Sequence, residues 1–260
     1  MTVDLAIRPF LRRILGYSDA STTAVDRAER SLQLAASRYT TLVLCGEGDL
    51  VPIAAALHRR TLGPDAPFIV CDPRRGNAAA SVRSPANRSV GSDAITAATG
   101  GTICLRAGRL PRDFAAVLDR VRDPHARVQT VVCWGERYDN NPLLITPAPI
   151  ALPPLRSRTD ELPKIVDEYA LDAITALLGP SDCFTDVDRV WVIAHAYGSL
   201  TEIEKATLRR TALRVSHSVS TAADRLDMAP VSLARWFARR AKPSGDLAPR
   251  VPDSKCNIGV

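Results

Sequence analysis

The chain has 260 residues, of which 46% are apolar and 24% are charged, with a formal net charge of +6 at pH 7. This length accommodates one α/β domain with small helical additions. No apolar run approaches the roughly 18 residues that a membrane span requires, and residues 1–4 do not begin a secretory signal. We therefore expect a cytoplasmic protein without a membrane partner.

The first 134 residues alternate between helical periodicity and short apolar runs. Val25, Leu32 and Ala35 recur at helical spacing. Ser21 or Thr22 can cap the start of that helix. Short apolar runs between helices are typical of a parallel sheet that is covered on both faces. The predicted order is helix 22–38, strand 41–45, helix 50–60, strand 67–71, strand 102–105, helix 111–122 and strand 128–134.

The remaining segments suggest how the chain divides. Residues 72–100 are rich in small and polar residues, show little periodicity and predict a loop. After a proline-rich segment, helices are predicted at about 160–178 and 186–197, and helix again from 201 to about 241. We expect an α/β domain over residues 1–150, a helical lid over 151–204, a helical module over 205–242 and a disordered tail over 243–260.

Four cysteines, Cys45, Cys71, Cys104 and Cys133, lie inside the predicted strands. They form no CxxC pair and have no metal-ligand spacing. We expect free thiols that behave as small buried apolar groups.

Three motifs follow one another along the chain. They are Gly-Glu-Gly-Asp-Leu at 46–50, Gly-Thr-Ile-Cys-Leu-Arg-Ala-Gly-Arg-Leu-Pro at 101–111, and Leu-Pro-Pro-Leu-Arg-Ser-Arg-Thr-Asp-Glu-Leu-Pro at 152–163. They resemble the phosphate-binding loop, the metal-binding strand and the proline junction in the AAA+ domain of sigma-54-dependent transcription activators. The resemblance implies an AAA+-like parallel sheet flanked by helices, with a small helical lid. An unrelated doubly wound α/β domain is the alternative.

The resemblance also implies that the groups for ATP hydrolysis are missing. Leu50 stands where the loop has its phosphate-binding lysine, and no lysine occurs before Lys164. Arg106 and Ala107 stand where two carboxylates hold Mg²⁺ and polarise the attacking water. Thr201 stands where the lid has its sensing arginine.

Two further parts of the family's machinery are missing from the sequence. Nothing in residues 72–100 resembles the loop that engages sigma-54. Residues 139–144, Asp-Asn-Asn-Pro-Leu-Leu, replace the arginine-bearing stretch that reaches a neighbour's nucleotide in the active ring. We therefore expect a protein that is not an enzyme and has no cofactor.

Positive charge is concentrated near the end of the chain. Residues 205–250 contain ten Lys and Arg against three Asp, which leaves residues 1–204 nearly neutral. A charge confined to one module is typical of nucleic-acid binding.

Residues 218–240 resemble the Fis-type helix-turn-helix that ends these activators. Small residues, Ala222 and Ala223, let the first helix approach the second. Leu226 is expected in the core at the turn, and Leu233 with Phe237 on the second helix. Where the family usually has glycine in the turn, this chain has Asp.

The residues expected to contact DNA lie mainly on the second helix of this motif. Ser232, Arg235 and Arg239 share one arc that faces away from the core, as base and phosphate contacts require. Arg240, Arg225 and Lys242 are expected at phosphates. Trp236 flanks this arc and is expected to pack on the preceding helices.

These observations predict a DNA-binding transcriptional regulator of the bacterial cytoplasm. Its catalytically dead AAA+ domain would serve as an oligomerisation or partner platform. A homodimer through helix 201–216, or an AAA+ partner, is expected. The residues predicted for the dimer contact are Ile203, Ala206, Leu208, Leu213 and Val215. One alternative is a protein-interaction scaffold that modulates active AAA+ relatives, with a basic helical hairpin at its end. The other is a nucleotide sensor without hydrolysis.

Overall fold

The computed structural model describes residues 7–81, 84–135 and 148–241. At its centre is a parallel six-stranded sheet in the order β3-β2-β4-β5-β1-β6. The strands are β1 Leu42–Cys45, β2 Phe68–Cys71, β3 Ala86–Arg88, β4 Thr102–Arg106, β5 Gln129–Trp134 and β6 Ile150–Ala151. Because all strands run in one direction, their carboxyl ends share one edge of the sheet.

Helices surround the sheet and continue beyond it. They are α1 Ile7–Leu15, α2 Thr22–Arg38, α3 Val51–Thr61, α4 Gly91–Ala97, α5 Phe114–Arg122, α6 Leu162–Leu177, α7 Asp186–His195, α8 Leu200–Arg214, α9 Val219–Arg225 and α10 Pro230–Ala241. One core joins α1–α3, α6 and α8 to one face of the sheet. A second core joins α4 and α5 to the other face. The α/β class with helices on both faces of a parallel sheet is confirmed.

The strands are buried because both faces of the sheet are covered. Leu44 on β1 belongs to the first core, whereas its neighbour Val43 belongs to the second. A strand of this kind needs apolar side chains at successive positions, which is why its sequence has no polar alternation. Helix α2 matches its predicted bounds, although Ser21 forms no capping hydrogen bond to it.

The expectation of a loop over residues 72–100 is wrong, since β3 and α4 lie within it. Helix α4 is short and poor in large apolar residues, so its sequence gives little periodic signal. Its first turn is stabilised from elsewhere in the chain: the amides of Gly91 and Ser92 donate to the carboxylate of Asp113, at 2.9 and 2.8 Å. Asp113 immediately precedes α5, which begins at Phe114, later than the predicted residue 111.

The C-terminal run is three helices rather than one. Breaks at 215–218 and 226–229 separate α8, α9 and α10. A third core unites them with the end of α6 and contains Leu177, Ala212, Leu226 and Leu233. The predicted disordered tail and residues 139–144 lie outside the described residues.

The cysteines of the strands are free thiols. Cys71, Cys104 and Cys133 are buried and Cys45 is partly buried, all as free thiols, as predicted. Within the described ranges, no helix is both long enough and apolar enough to cross a bilayer.

The surface predicted for dimerisation is not exposed in the structure. Ile203 and Ala206 have no accessible surface, because they pack within the first core. The dimer prediction is therefore wrong for Ile203 and Ala206, which the chain itself covers. The other residues predicted for this contact, Leu208, Leu213 and Val215, are partly buried, and a contact through them stays a prediction. Dimerisation through another surface stays a prediction.

Candidate functional site

Helices α9 and α10 form a compact pair joined by a tight turn. The hydroxyl of Ser218 accepts the amide of Thr221 at 3.1 Å and caps α9. At the other end of α9, the amide of Met228 donates to the carbonyl of Ala223 at 3.0 Å. Asp227 has a φ of 49°, the left-handed conformation that lets the chain reverse there. The residue that replaces the usual glycine therefore does occupy a glycine-like position.

The pair is held by a small apolar core of the predicted composition. Ala222 and Ala223 are fully buried, as are Leu226 and Leu233. Met228 and Phe237 pack against them and are partly buried. Small side chains on α9 therefore allow close helix packing, while the larger ones come from the turn and from α10.

The outer face of α10 carries three of the predicted DNA-contacting residues together. Ser232, Arg235 and Arg239 are exposed, while Leu233 on the opposite face is buried. Two arginines and a hydroxyl thus stand on one unobstructed helix face.

The other predicted contacts lie elsewhere. Arg225 donates to the carbonyl of Leu177 at 2.9 Å, closing the end of α6. Arg240 stacks on Trp236, with 4.2 Å from its guanidinium carbon to the ring centroid, and lies 4.0 Å from Glu202. Both side chains therefore also stabilise the fold. Lys242 lies outside the described residues.

An aromatic cluster joins α10 to α7. Trp236 lies 6.1 Å from Trp191, and Phe237 lies 5.4 Å from it, centroid to centroid. The guanidinium of Arg209 covers Trp236 at 4.5 Å. The expected packing of Trp236 on the preceding helices is confirmed. This cluster, whose other members sequence reasoning did not find, fixes the orientation of α10 relative to α7.

A buried carboxylate ties α7 to α8. Asp188 has no accessible surface and accepts from Arg210 at 2.6 Å and from Arg214 at 2.9 Å. It also closes a capping box with Thr185 at the start of α7. Burial alone would raise the pKa of this carboxyl, but the hydrogen bonds from Arg214, Thr185 and Arg210 hold its pKa below the ordinary value.

The loop at 46–50, whose sequence resembles a phosphate-binding loop, is packed against the start of α8. Leu50, at the position of the lysine, is buried. Gly48 has a φ of +77°, and a Cβ there would stand 2.9 Å from the Cβ of Ser199. The hydroxyl of Thr201 donates to the carbonyl of Asp49 at 2.6 Å. The start of α8 therefore lies directly on the loop.

An ion pair links this loop to the end of β4. Arg106 donates to both carboxylate oxygens of Asp49, at 2.6 and 3.1 Å. Its Nε also lies 3.6 Å from the buried carboxylate of Asp72. Burial would raise the pKa of Asp49, but the hydrogen bonds from Arg106 lower it below the ordinary value. The pair thus places a cation at the end of β4 and an anion in the loop.

Among solved structures, the fold is similar to NtrX from Brucella abortus. The form in complex with ADP gives a TM-score of 0.49 at 11% identity, covering 90% of this chain and 71% of that chain. A second NtrX structure from the same organism gives a TM-score of 0.47 at 12% identity, covering 90% of this chain and 70% of that chain. No protein-family model matches the sequence, and no curated protein matches it. The likeness to NtrX is a loose one.

Proposed function

We propose that the protein is a DNA-binding transcriptional regulator whose AAA+-like domain does not hydrolyse ATP. The observation that carries this proposal is the exposed face of α10, where Ser232, Arg235 and Arg239 stand together while the other face packs on the protein. A helix with a free basic face beside a tight turn is the form in which proteins enter the major groove.

The length and polarity of α10 suit this role. Its 12 residues span about 18 Å. Ser232 and Arg235 lie in its first half, from which a recognition helix contacts base edges. Arg239 follows one turn later, where a phosphate contact sets register. A guanidinium can bind guanine through two hydrogen bonds, so Arg235 is the residue that we expect to give sequence preference.

The α/β domain would then act as a platform rather than as an enzyme. Support comes from the loop, where Leu50 replaces the lysine and Asp49 is already paired with Arg106. A triphosphate brought there would meet the carboxylate of Asp49 and would have to displace the contacts of Ser199 and Thr201. We infer that the domain holds α10 in place and joins copies of the chain, or an AAA+ partner, on DNA.

The decisive experiment is genome-wide binding of the tagged protein, compared with the variant Arg235→Ala/Arg239→Ala. Discrete peaks that share a motif in the wild type and disappear in the variant are the expected result. The matched control is Arg30→Ala/Arg38→Ala, which removes the same charge from the exposed side of α2. Peaks that persist in the first variant, or that vanish equally in the control, would contradict the proposal.

The second candidate is a protein-interaction scaffold, and one observation favours it. Val187 and Val190 on α7 are 67% and 66% exposed, and Leu171 on α6 is 61% exposed. Neighbouring exposed apolar side chains, such as the two valines one turn apart on α7, often mark protein contacts. If the folded protein gives no DNA peaks, while Val187→Ser/Val190→Ser abolishes recovery of a specific partner from its host, this candidate replaces the first.

A further inference from the structure

A cavity of about 400 Å³ lies where α1, α3, α6 and α8 meet. It is separate from the loop at 46–50 and from the exposed face of α10. Its volume is within the range of small-molecule sites. A second cavity of about 470 Å³ adjoins it and shares the lining residues Pro52, Arg59 and Glu204. Nothing in the proposed DNA-binding role uses either cavity.

One wall of the first cavity carries a carboxylate without a partner. Glu204 on α8 makes no hydrogen bond or ion pair with any residue that the structure describes, and burial raises the pKa of its carboxyl. The other acidic group in the lining, Asp172, is already taken by Arg13 at 2.5 Å. Glu204 is therefore the acceptor that remains available to a bound cation.

The opposite charge is available on α3. Arg59 forms no ion pair within the described part of the chain, although its charge acts on Glu204. Arg60 stacks on Phe10, with its guanidinium carbon 4.2 Å from the ring centroid. Its Nε is buried without a hydrogen-bond partner. Arg60 also donates from Nη1 to the carbonyl of Ala56 at 3.0 Å, and Arg59 is exposed at the rim. Both residues line the cavity, so two guanidinium groups border it, and Arg59 is the one without an ion pair among the described residues.

The rest of the lining is largely apolar. Ile53 and Ala56 from α3 and Leu208 from α8 contribute aliphatic surface, and Phe10 contributes a ring. A ligand that suits all these groups carries an anion, a cation and an apolar body. That combination describes an α-amino acid with an apolar side chain.

We propose that this cavity is a binding site for an apolar α-amino acid. The carboxylate binds Arg59 and Arg60, the ammonium group binds Glu204, and the side chain packs on Ile53, Phe10 and Leu208. The site binds its ligand whether or not the protein binds DNA, so its test is independent of the proposed regulatory function.

Isothermal titration calorimetry on the full chain tests the site with defined probes. The first probes are the apolar L-amino acids, from alanine to phenylalanine. The best of them is then compared with analogues that lack one charge; for leucine these are 3-methylbutylamine and 4-methylpentanoate. We expect the zwitterion to bind at least roughly tenfold more tightly than either analogue, because each analogue lacks one of the two charges that pair with the guanidinium groups and with Glu204.

Two variants assign the binding to this cavity. Glu204→Gln and Arg59→Gln should each weaken binding by roughly tenfold or more. Glu204→Gln keeps the size of the side chain and removes a buried charge, so the fold is expected to persist, as circular dichroism can check. Glu202→Gln, an exposed position on the same helix, is the matched control and should leave binding unchanged.

Each other outcome overturns the proposal. Absence of heat for every apolar L-amino acid up to roughly millimolar concentration, where even a weak site is detected, would do so. So would an analogue that binds as tightly as its amino acid, since recognition would then not use both charges. Binding that survives both Glu204→Gln and Arg59→Gln would place the ligand elsewhere.

Discussion

The guanidinium of Arg106 holds the carboxylate of Asp49 through two hydrogen bonds, although the residues are 57 positions apart in the chain. The pair closes the space between the loop at 46–50 and the end of β4. A charge-assisted, bidentate contact of this kind is among the stronger polar interactions in proteins. The pair occupies the edge of the sheet where the resemblance would place a phosphate and its metal ion.

ATP should not stabilise the protein. A ligand at 100 times its dissociation constant adds about 2.7 kcal/mol to the free energy of unfolding, which moves the melting temperature by several degrees. We expect a change below about one degree with roughly millimolar ATP and Mg²⁺ in a thermal melt. A shift of several degrees would favour the nucleotide-sensor alternative and would contradict the assignment of a non-binding loop.

Replacing Arg106 should destabilise the fold rather than restore a site. In Arg106→Met the aliphatic part of the side chain remains, but Asp49 loses both guanidinium donors. We expect the free energy of unfolding to fall by about 1.5–3 kcal/mol, the usual range for hydrogen bonds to a charged group. Urea denaturation measures the change, with the exposed Arg112→Met as the control for loss of charge. Equal stabilities of the two variants would show that the Asp49 contact contributes nothing.

The contact of Asp188 with the arginines of α8 should make the free energy of unfolding depend on pH in the acid range. Because the folded pKa of Asp188 is lowered, its contribution is fully present above the unfolded value of about 3.9 and is lost as the pH falls through and below that value. Asp188→Asn should therefore cost about 2 kcal/mol of unfolding free energy at pH 7. The difference from wild type should shrink below about pH 4.

Urea melts of both proteins at several pH values measure this dependence. The control is Asp186→Asn on the same helix, whose carboxylate is 87% exposed and pairs with Arg189. That surface pair should contribute less than about 1 kcal/mol. A deficit of Asp188→Asn that stays constant down to pH 3 would show that its effect is not electrostatic.

Leu178 should be a site where glycine raises stability. It ends α6 with a φ of 52° and its side chain is 92% exposed, so it bears left-handed strain and buries little apolar surface. We expect Leu178→Gly to gain about 0.5–1 kcal/mol, the relief of strain being partly offset by the greater freedom of glycine in the unfolded chain. Leu178→Ala keeps the strain and should have the same melting temperature as the wild type. A lower melting temperature for Leu178→Gly would refute this.

The sequence predicted those parts of the fold that local patterns determine. Strand β1 is a continuous apolar run because both of its faces are covered, and α2 shows its buried face directly as Val25, Leu32 and Ala35. The small core of α9 and α10 followed in the same way from Leu226 and Leu233.

The parts that were missed depend on contacts between distant residues. The first turn of α4 is bound by Asp113, which lies 22 residues after Gly91 in the chain, so the segment has no local signal and its sequence predicts a loop. The partner of Arg106 could have been anticipated from the rule that parallel strands end at one edge, since Asp49 follows β1 and Arg106 ends β4. The cluster of Trp191 with Trp236 has no signal at all in local sequence, because it arises only when α10 folds back on α7.

Helix α8 runs without a break from the loop at 46–50 to the core beneath α10. Thr201 at its start binds the carbonyl of Asp49, and Ala212 near its end belongs to the core beneath α10. Its 15 residues make a rod of about 22 Å. If two copies bind DNA together, the distance between their recognition helices is therefore set by the protein body and not by a pliable tether. Each inserted base pair moves a half-site by about 3.4 Å and turns it by about 35°. Such an assembly tolerates base changes within a half-site better than it tolerates one extra base pair between the half-sites.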